Sequence, residues 1–215
     1  NRIASVYEEM GDSTNATVAL DRYVRRLEER PKPGQELMSA NYRQAQAIKN
    51  TALALLRGST NAADVVAGNA TLARAAVAFD KLARILQQPD HPYQVNDGDK
   101  AKNASLLEGA LYNAAFCLSQ VTEPAARVPE IRRRAIDSYE ALVARFPRSA
   151  FAPAALIQIG SIWTMLRDAT QAEAALGRLL KDYAETAEAR SALPLLADNL
   201  MKLGMREEAV ARYRQ

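Results

Sequence analysis

The stretch AIDSYEALVARFP, residues 135–147, decides the fold, because the chain repeats its pattern 37 residues later as AEAALGRLLKDYA, residues 172–184. The same shift begins a third copy, AVARYRQ, at residues 209–215. In each copy a small residue is followed four positions later by a large apolar one, which is the spacing of one helix face. A period of this length indicates a repeated helical unit. The matched positions are Ala135, Ala172 and Ala209, and then Tyr139, Leu176 and Tyr213.

A second apolar pattern precedes the later two copies and follows the same shift. Small residues in this pattern allow two helix backbones to approach closely, while large neighbours fill the space beside them. One hairpin of this kind cannot bury its apolar face alone, so consecutive hairpins are expected to stack. The matched pairs are Leu156 with Leu193, Ile159 with Leu196, and Gly160 with Ala197.

The rest of the chain also has a helical pattern. It contains 42 alanines among 215 residues, against only 9 glycines, and alanine is the strongest helix former. The alternating β-branched runs that are typical of strands are missing. The sequence therefore predicts an all-α fold. The expected helices present the faces Ala16, Leu20, Tyr23, Leu27 and Ala75, Phe79, Leu82, Leu86, and cover about 36–57, 101–121, 130–146, 150–166, 169–183, 187–203 and a stretch from Arg206.

The longest loop signal is QQPDHPYQVNDGDK, residues 87–100. Within it, Asn96-Asp97-Gly98-Asp99 has the look of a calcium loop, but an EF-hand needs oxygen ligands where this chain has Tyr93, Val95 and Ala104. An ordinary turn is therefore expected there, with a helix resuming near Ala101. A shorter connection is expected between Pro124 and Pro129.

These positions together resemble the tetratricopeptide repeat family. That family has a large residue, then Leu-Gly, an aromatic residue, an alanine and a further large residue at fixed spacings. The resemblance implies a right-handed α-solenoid of antiparallel helix hairpins. One unit reads Leu156, Ile159-Gly160, Trp163, Ala172, Leu176, and the next reads Leu193, Leu196-Ala197, Leu200, Ala209, Tyr213.

The resemblance divides residues 1–215 into one array of five units. Both end units are expected to be incomplete, with further repeats following in the parent chain, because Gln215 falls inside a helical pattern. The turn Met10-Gly11-Asp12 marks the first partial unit. The expected units are 1–34, a divergent unit 35–100 with long helices and a loop, 101–149 with an insertion, 150–186, and 187–215.

Composition excludes several classes of site. The single Cys117 excludes an internal disulfide and a cysteine-based zinc site, and the single His91 leaves almost no room for a catalytic triad or a histidine metal site. A net charge of +3 is spread over interleaved acidic and basic residues, so no nucleic-acid footprint is visible. No apolar run approaches the roughly 20 residues of a membrane span. We expect no cofactor, no metal, no nucleic-acid partner and no membrane span.

The resemblance also implies a functional surface, because in tetratricopeptide arrays the first helix of each pair lines a concave groove. Tyr112 and Phe116 lie one helical turn apart and either anchor a partner or pack against a neighbouring unit. The Lys and Asn of the family's carboxylate clamp have no match at Ile157 and Ser161. The expected groove residues are Tyr112, Phe116, Ile157, Ser161, Thr164, Asp198 and Met201.

The function expected from these features is a non-enzymatic scaffold that binds a partner protein or peptide through the groove. The alternatives are a structural spacer or self-association module of a larger envelope protein, and an enzyme built on a helical solenoid, which would need a buried carboxylate. The ending Phe146-Pro147-Arg148-Ser149 is similar to tetratricopeptide proteins of the bacterial envelope, which implies the periplasm or the outer membrane. The cytoplasm is the alternative.

Overall fold

The computed structural model describes residues 2–31, 34–88, 93 and 96–214. Within these ranges the regular structure is helical, and no strand occurs. The predicted all-α class is therefore confirmed. The elements are α1 (Arg2–Glu9), α2 (Ser13–Glu28), α3 (Gly34–Leu56), α4 (Ala62–Gln87), α5 (Asp97–Ser119), a short 3-10 helix (Ala125–Arg127), α6 (Val128–Arg145), α7 (Phe151–Met165), α8 (Ala169–Asp182), α9 (Ala187–Lys202) and α10 (Arg206–Tyr213).

The chain forms two compact units, Asn1–Ile131 and Arg132–Gln215. In the first unit each of the helices α1 to α5 packs on the next, and α5 also contacts α3. In the second unit α8 packs on α7 and α9, α10 packs on α9, and α7 also contacts α9. In both units, therefore, consecutive helices pair, and a helix contacts the one two places further along the chain.

The core of the first unit contains both small and large apolar side chains. Ala4, Ala16, Leu20 and Ala47 form one buried cluster that joins α1, α2 and α3. Further along, Phe79 of α4 is fully buried. Alanines at these contacts leave little side-chain volume between neighbouring helices, so the backbones approach closely.

The second unit confirms the predicted close contact at Gly160. A methyl group on Gly160 would lie 2.5 Å from Cδ2 of Leu176, so α7 and α8 meet where Gly160 has no side chain. The three repeated alanines, Ala135, Ala172 and Ala209, are all fully buried, as one shared structural position requires. Of the large residues that follow these alanines by four positions, Tyr139 and Leu176 are fully buried.

Tyr213, the third of these large residues, is the exception, because 52% of its surface is exposed. Its hydroxyl donates a hydrogen bond to the Asp198 carboxylate on α9. The third copy of the pattern therefore keeps the buried alanine but not the buried large residue.

Three helix-to-helix turns have the same backbone geometry. Their central residues have a left-handed conformation, with φ of 72° at Gly11, 62° at Arg167 and 80° at Gly204. This conformation at the end of a helix, closed by a hydrogen bond across five residues, is the Schellman motif. The closing bonds run from the N–H groups of Asp12, Asp168 and Met205 to the carbonyls of Tyr7, Trp163 and Leu200, at 2.9, 3.0 and 3.0 Å.

Helix bounds differ from the sequence predictions chiefly at α5. The helix begins at Asp97 instead of near Ala101, so the predicted turn at 96–99 is wrong. The side chain of Asn96 accepts a hydrogen bond from the Asp99 N–H at 2.9 Å and caps the helix. Acidic residues in the first turn also suit the positive end of a helix. Of the remaining predicted loop, residues 89–92 and 94–95 lie outside the described residues.

Two smaller differences concern α2 and α6. In α2 the buried face contains Val24, whereas Tyr23 is only half-buried and its hydroxyl bonds to Glu36 on α3. Pro129 lies in the first turn of α6 instead of in a connection, which is compatible with its missing N–H group.

Candidate protein-interaction site

The predicted pair Tyr112 and Phe116 lies together on α5. Their rings are stacked, with centroids 6.5 Å apart and an angle of 17° between the ring planes. Both side chains are half-buried. The two rings form a partly exposed aromatic surface, because residues four apart lie on the same side of a helix.

A lysine from α3 extends this aromatic surface. The Lys49 Nζ atom lies 5.7 Å from the centroid of the Phe116 ring, within the range of a cation–π interaction. The same Nζ donates a hydrogen bond of 2.7 Å to Oδ1 of Asn113, which lies on α5 between the two aromatic residues. The contact of α3 with α5 therefore places a cation beside the aromatic pair.

A network of hydrogen bonds fixes the lysine's amide partner. The buried Asn113 donates through Nδ2 to the Gly109 carbonyl at 2.7 Å and to the Tyr42 hydroxyl at 3.3 Å. Gln46 donates to the same hydroxyl at 3.0 Å. These partners fix the orientation of the Asn113 amide. Nδ2 must face the Gly109 carbonyl, which can only accept, and Oδ1 must face Lys49, which can only donate. Below, "the Lys49 cluster" means Tyr42, Lys49, Tyr112, Asn113 and Phe116.

Lys49 has no carboxylate partner among the residues that the structure describes. Burial lowers the pKa of Lys49. The nearby Cys117 does not supply a negative charge, because burial raises the pKa of its thiol to about 12. The positive charge of Lys49 therefore faces an amide oxygen and an aromatic ring, neither of which neutralises it.

The predicted residues on α7 share one face but have different roles. Ile157, Ser161 and Thr164 are all half-buried. The Thr164 hydroxyl donates to the Gly160 carbonyl and accepts from Nδ2 of Asn199 on α9, both at 2.9 Å. Thr164 thus joins α7 to α9, which leaves Ile157 and Ser161 as the candidates for partner contact on this helix.

The predicted residues on α9 are the most exposed of the set. Asp198 accepts the hydrogen bond from the Tyr213 hydroxyl on α10, and this bond raises the pKa of Tyr213. Met201 is 45% exposed and lies three residues further along α9. Asp198 is therefore engaged with the following helix, while Met201 presents an apolar surface to solvent.

A shallow cavity of about 780 Å³ lies at the end of α7. Its lining includes Thr164 and Asn199, the basic residues Arg167 and Lys202, and one carboxylate, that of Asp168. Asp168 already accepts a hydrogen bond from the Gln171 N–H at the start of α8. A glycosidase of the usual kind needs two carboxylates across its cleft, and this cavity supplies one that caps a helix.

Two further findings concern metal binding and membrane crossing by the described residues. No group of three or more His, Cys, Asp or Glu side chains in the described ranges is placed to hold a metal ion. Within the same ranges, no helix has both the length and the apolar character that crossing a bilayer requires. His91 lies outside the described residues. Cys117 is fully buried.

Comparison with known proteins gives no assignment. No model of a known protein family matches the chain. No curated protein matches it either. The tetratricopeptide resemblance therefore remains a prediction from the residues quoted above.

Sequence reasoning missed three members of the Lys49 cluster. Tyr42 and Lys49 lie on α3, which has no clear position in the 37-residue repeat, and no local pattern distinguishes Asn113 on α5. A signal was present in α3, because Lys49 stands between Ala45 and Ala52 on the side of the helix that is otherwise buried. A lysine among buried positions is unusual.

Proposed function

We propose that this protein is a non-catalytic scaffold that binds a partner protein or peptide through the Lys49 cluster. The observation that carries this proposal is a half-buried cation without a carboxylate partner in the described residues, held beside two stacked aromatic rings. Aromatic residues are frequent anchors of protein interfaces. A cation that the protein itself does not neutralise is a matching polar contact for a partner.

We further propose that the array is a solenoid of the tetratricopeptide type. Three features support this: the equal burial of Ala135, Ala172 and Ala209, the contact of Gly160 with Leu176, and the same Schellman turn at three places. Such an array presents a large rigid surface, so little conformational entropy is lost when a partner binds. The predicted groove residues Ile157, Ser161 and Met201 belong to this proposal.

A self-association module is the second candidate function. Apolar side chains on the last hairpin favour it, because Met205, Val210 and Tyr213 are 40%, 42% and 52% exposed. Exposed apolar surface of this kind is also typical of contacts between copies of one chain. Light scattering coupled to size exclusion over a range of concentrations tests this candidate, since a self-associating chain shows a mass that rises with concentration.

The binding proposal is tested by affinity capture with a matched pair of variants. Tyr112→Ala with Phe116→Ala removes both rings, and Val66→Ala with Val77→Ala removes two exposed apolar side chains from α4 as the control. We expect the wild type and the control to retain the same partner and the ring variant to lose it, with the helical circular dichroism unchanged. A partner retained equally by all three would contradict the proposal.

We propose a location in the bacterial envelope, in the periplasm or at the outer membrane, because of the resemblance of the Phe146-Pro147-Arg148-Ser149 ending. The Pro147 carbonyl accepts a hydrogen bond of 2.7 Å from the Tyr183 hydroxyl, which joins this ending to the residue after α8. Fractionation of producing cells tests the placement. Recovery in the cytoplasmic fraction would contradict it.

A further inference from the structure

We propose that the partner of the Lys49 cluster contributes a side-chain carboxylate, from an aspartate or glutamate inside an acidic and apolar segment. The carboxylate accepts from Lys49, and an apolar neighbour in the segment packs on Tyr112 and Phe116. This inference rests on the proposed function and specifies the chemistry of its partner.

Lys49 has more N–H donors than the described residues use. An ammonium group has three N–H donors. One of them is taken by Oδ1 of Asn113, and the Phe116 ring lies beside the group. The side chain is also half-buried, so it has lost part of its hydration. A carboxylate compensates best for this lost hydration, because charge-assisted hydrogen bonds are about twice as strong as neutral ones.

Lys49 differs from the paired cations of the first unit. Several of its arginines form ion pairs within the unit, and those side chains need no external partner. Lys49 is buried to a similar or greater extent than these arginines, but no carboxylate lies beside it among the described residues. The paired arginines are Arg25 with Asp21, Arg30 with Glu36, Arg43 with Glu8, and Arg84 with Asp80.

The groups of the Lys49 cluster determine the charge and shape of the ligand that it suits. The Asn113 amide is already engaged, because Nδ2 donates to the Gly109 carbonyl and the Tyr42 hydroxyl while Oδ1 accepts from Lys49. Lys49 is the one cation of the Lys49 cluster, and a single cation suits a single negative charge better than a phosphate. The aromatic pair continues the surface beyond Lys49, so the bound chain continues past its carboxylate. An internal acidic residue meets both conditions.

The test uses random 12-residue peptides with blocked ends, displayed and selected on the full chain. We expect the wild type to enrich peptides that combine Asp or Glu with aromatic or aliphatic neighbours. Replacing that acid by its amide in a synthetic peptide should weaken binding about tenfold to a hundredfold, which is the effect of losing a hydrogen bond to a charged group. Lys49→Met should remove this discrimination, while Lys49→Arg should preserve it.

Lys102→Met is the matched control, because Lys102 is an exposed lysine on α5, and it should bind as the wild type does. Urea unfolding verifies that each variant is folded. Equal binding of the acid and amide peptides to the wild type, or undiminished discrimination by Lys49→Met, would overturn the carboxylate inference and leave the proposed function standing. A selection that returns no peptide dependent on Tyr112 and Phe116 would overturn the proposed function itself.

Discussion

Gly160→Ala tests the physical basis of the repeat, because it adds one methyl group where α7 meets α8. The new Cβ would lie 2.5 Å from Cδ2 and 2.6 Å from Cγ of Leu176, and both distances are far inside normal contact. Leu176 is fully buried, so it cannot turn into solvent to relieve the overlap. The methyl group therefore forces either an unfavourable rotamer of Leu176 or a separation of the two helices.

The expected magnitude follows from two opposing terms. Overpacking in a core costs about 1–3 kcal/mol, and two carbons within overlap place Gly160→Ala near the upper end, at about 3 kcal/mol. Replacing glycine by alanine inside a helix stabilises by about 1 kcal/mol. We therefore expect Gly160→Ala to lower the free energy of unfolding by about 2 kcal/mol.

Gly177→Ala is the matched control within the partner helix α8. The nearest atom to its new Cβ would be Oε1 of Glu173 at 3.6 Å, which is an ordinary contact. With no overlap, only the helix-propensity term remains, so Gly177→Ala should stabilise by about 0.5–1 kcal/mol. The same substitution is thus expected to have opposite signs at the two glycines.

The assay is urea unfolding followed by the fluorescence of Trp163. This is the single tryptophan of the chain, and it lies on α7 one turn after Gly160, so its signal reports on the second unit. If both variants prove more stable than the wild type by similar amounts, α7 and α8 are not in close contact at Gly160. Small residues would then not be what brings the two helices of a hairpin together.

Three further changes have expected outcomes. Asn69→Ala should lower the free energy of unfolding by about 2 kcal/mol, because it leaves two backbone donors without their acceptor. In the wild type, Oδ1 of Asn69 accepts from the Thr122 and Glu123 N–H groups at 2.7 and 3.3 Å. Amide hydrogen exchange at Thr122 should therefore become faster in the variant. Arg167→Gly should stabilise by about 0.5–1 kcal/mol in urea unfolding, since a side chain is unfavourable at a φ of 62°. Burial raises the pKa of Cys117 from 9.0 to about 12, so its contribution to stability is complete below pH 9 and declines between pH 9 and 12. The urea midpoint of the wild type should therefore fall more between pH 8 and 10.5 than that of Cys117→Ala, and a parallel fall in both would contradict the assigned pKa.

The helices were predictable because each depends on residues close in sequence. A helix face needs only a spacing of three and four, and Ala135, Ala172 and Ala209 share both their period and their complete burial. Gly160 was predictable for the same reason, since its position in the period assigns it to a helix contact.

The start of α5 was not predictable on this basis. Asparagine, aspartate and glycine favour turns, but the first two also cap helices, and local composition does not distinguish the two outcomes. Asn96 uses its side chain to cap the helix, and the acids that follow it stabilise the first turn.

The Lys49 cluster lay beyond sequence reasoning for a different reason. Its central hydrogen bond joins residues 64 positions apart, so no local pattern contains it. The anomaly of a lysine beside Ile48 and Ala52 is visible in the sequence, but its meaning depends on the residue that faces it. An aspartate at position 113 would have nearly the same shape as Asn113 and would neutralise Lys49 within the fold. The amide instead holds the ammonium group in place and leaves its charge intact, and this difference is the basis of the acidic partner that we propose.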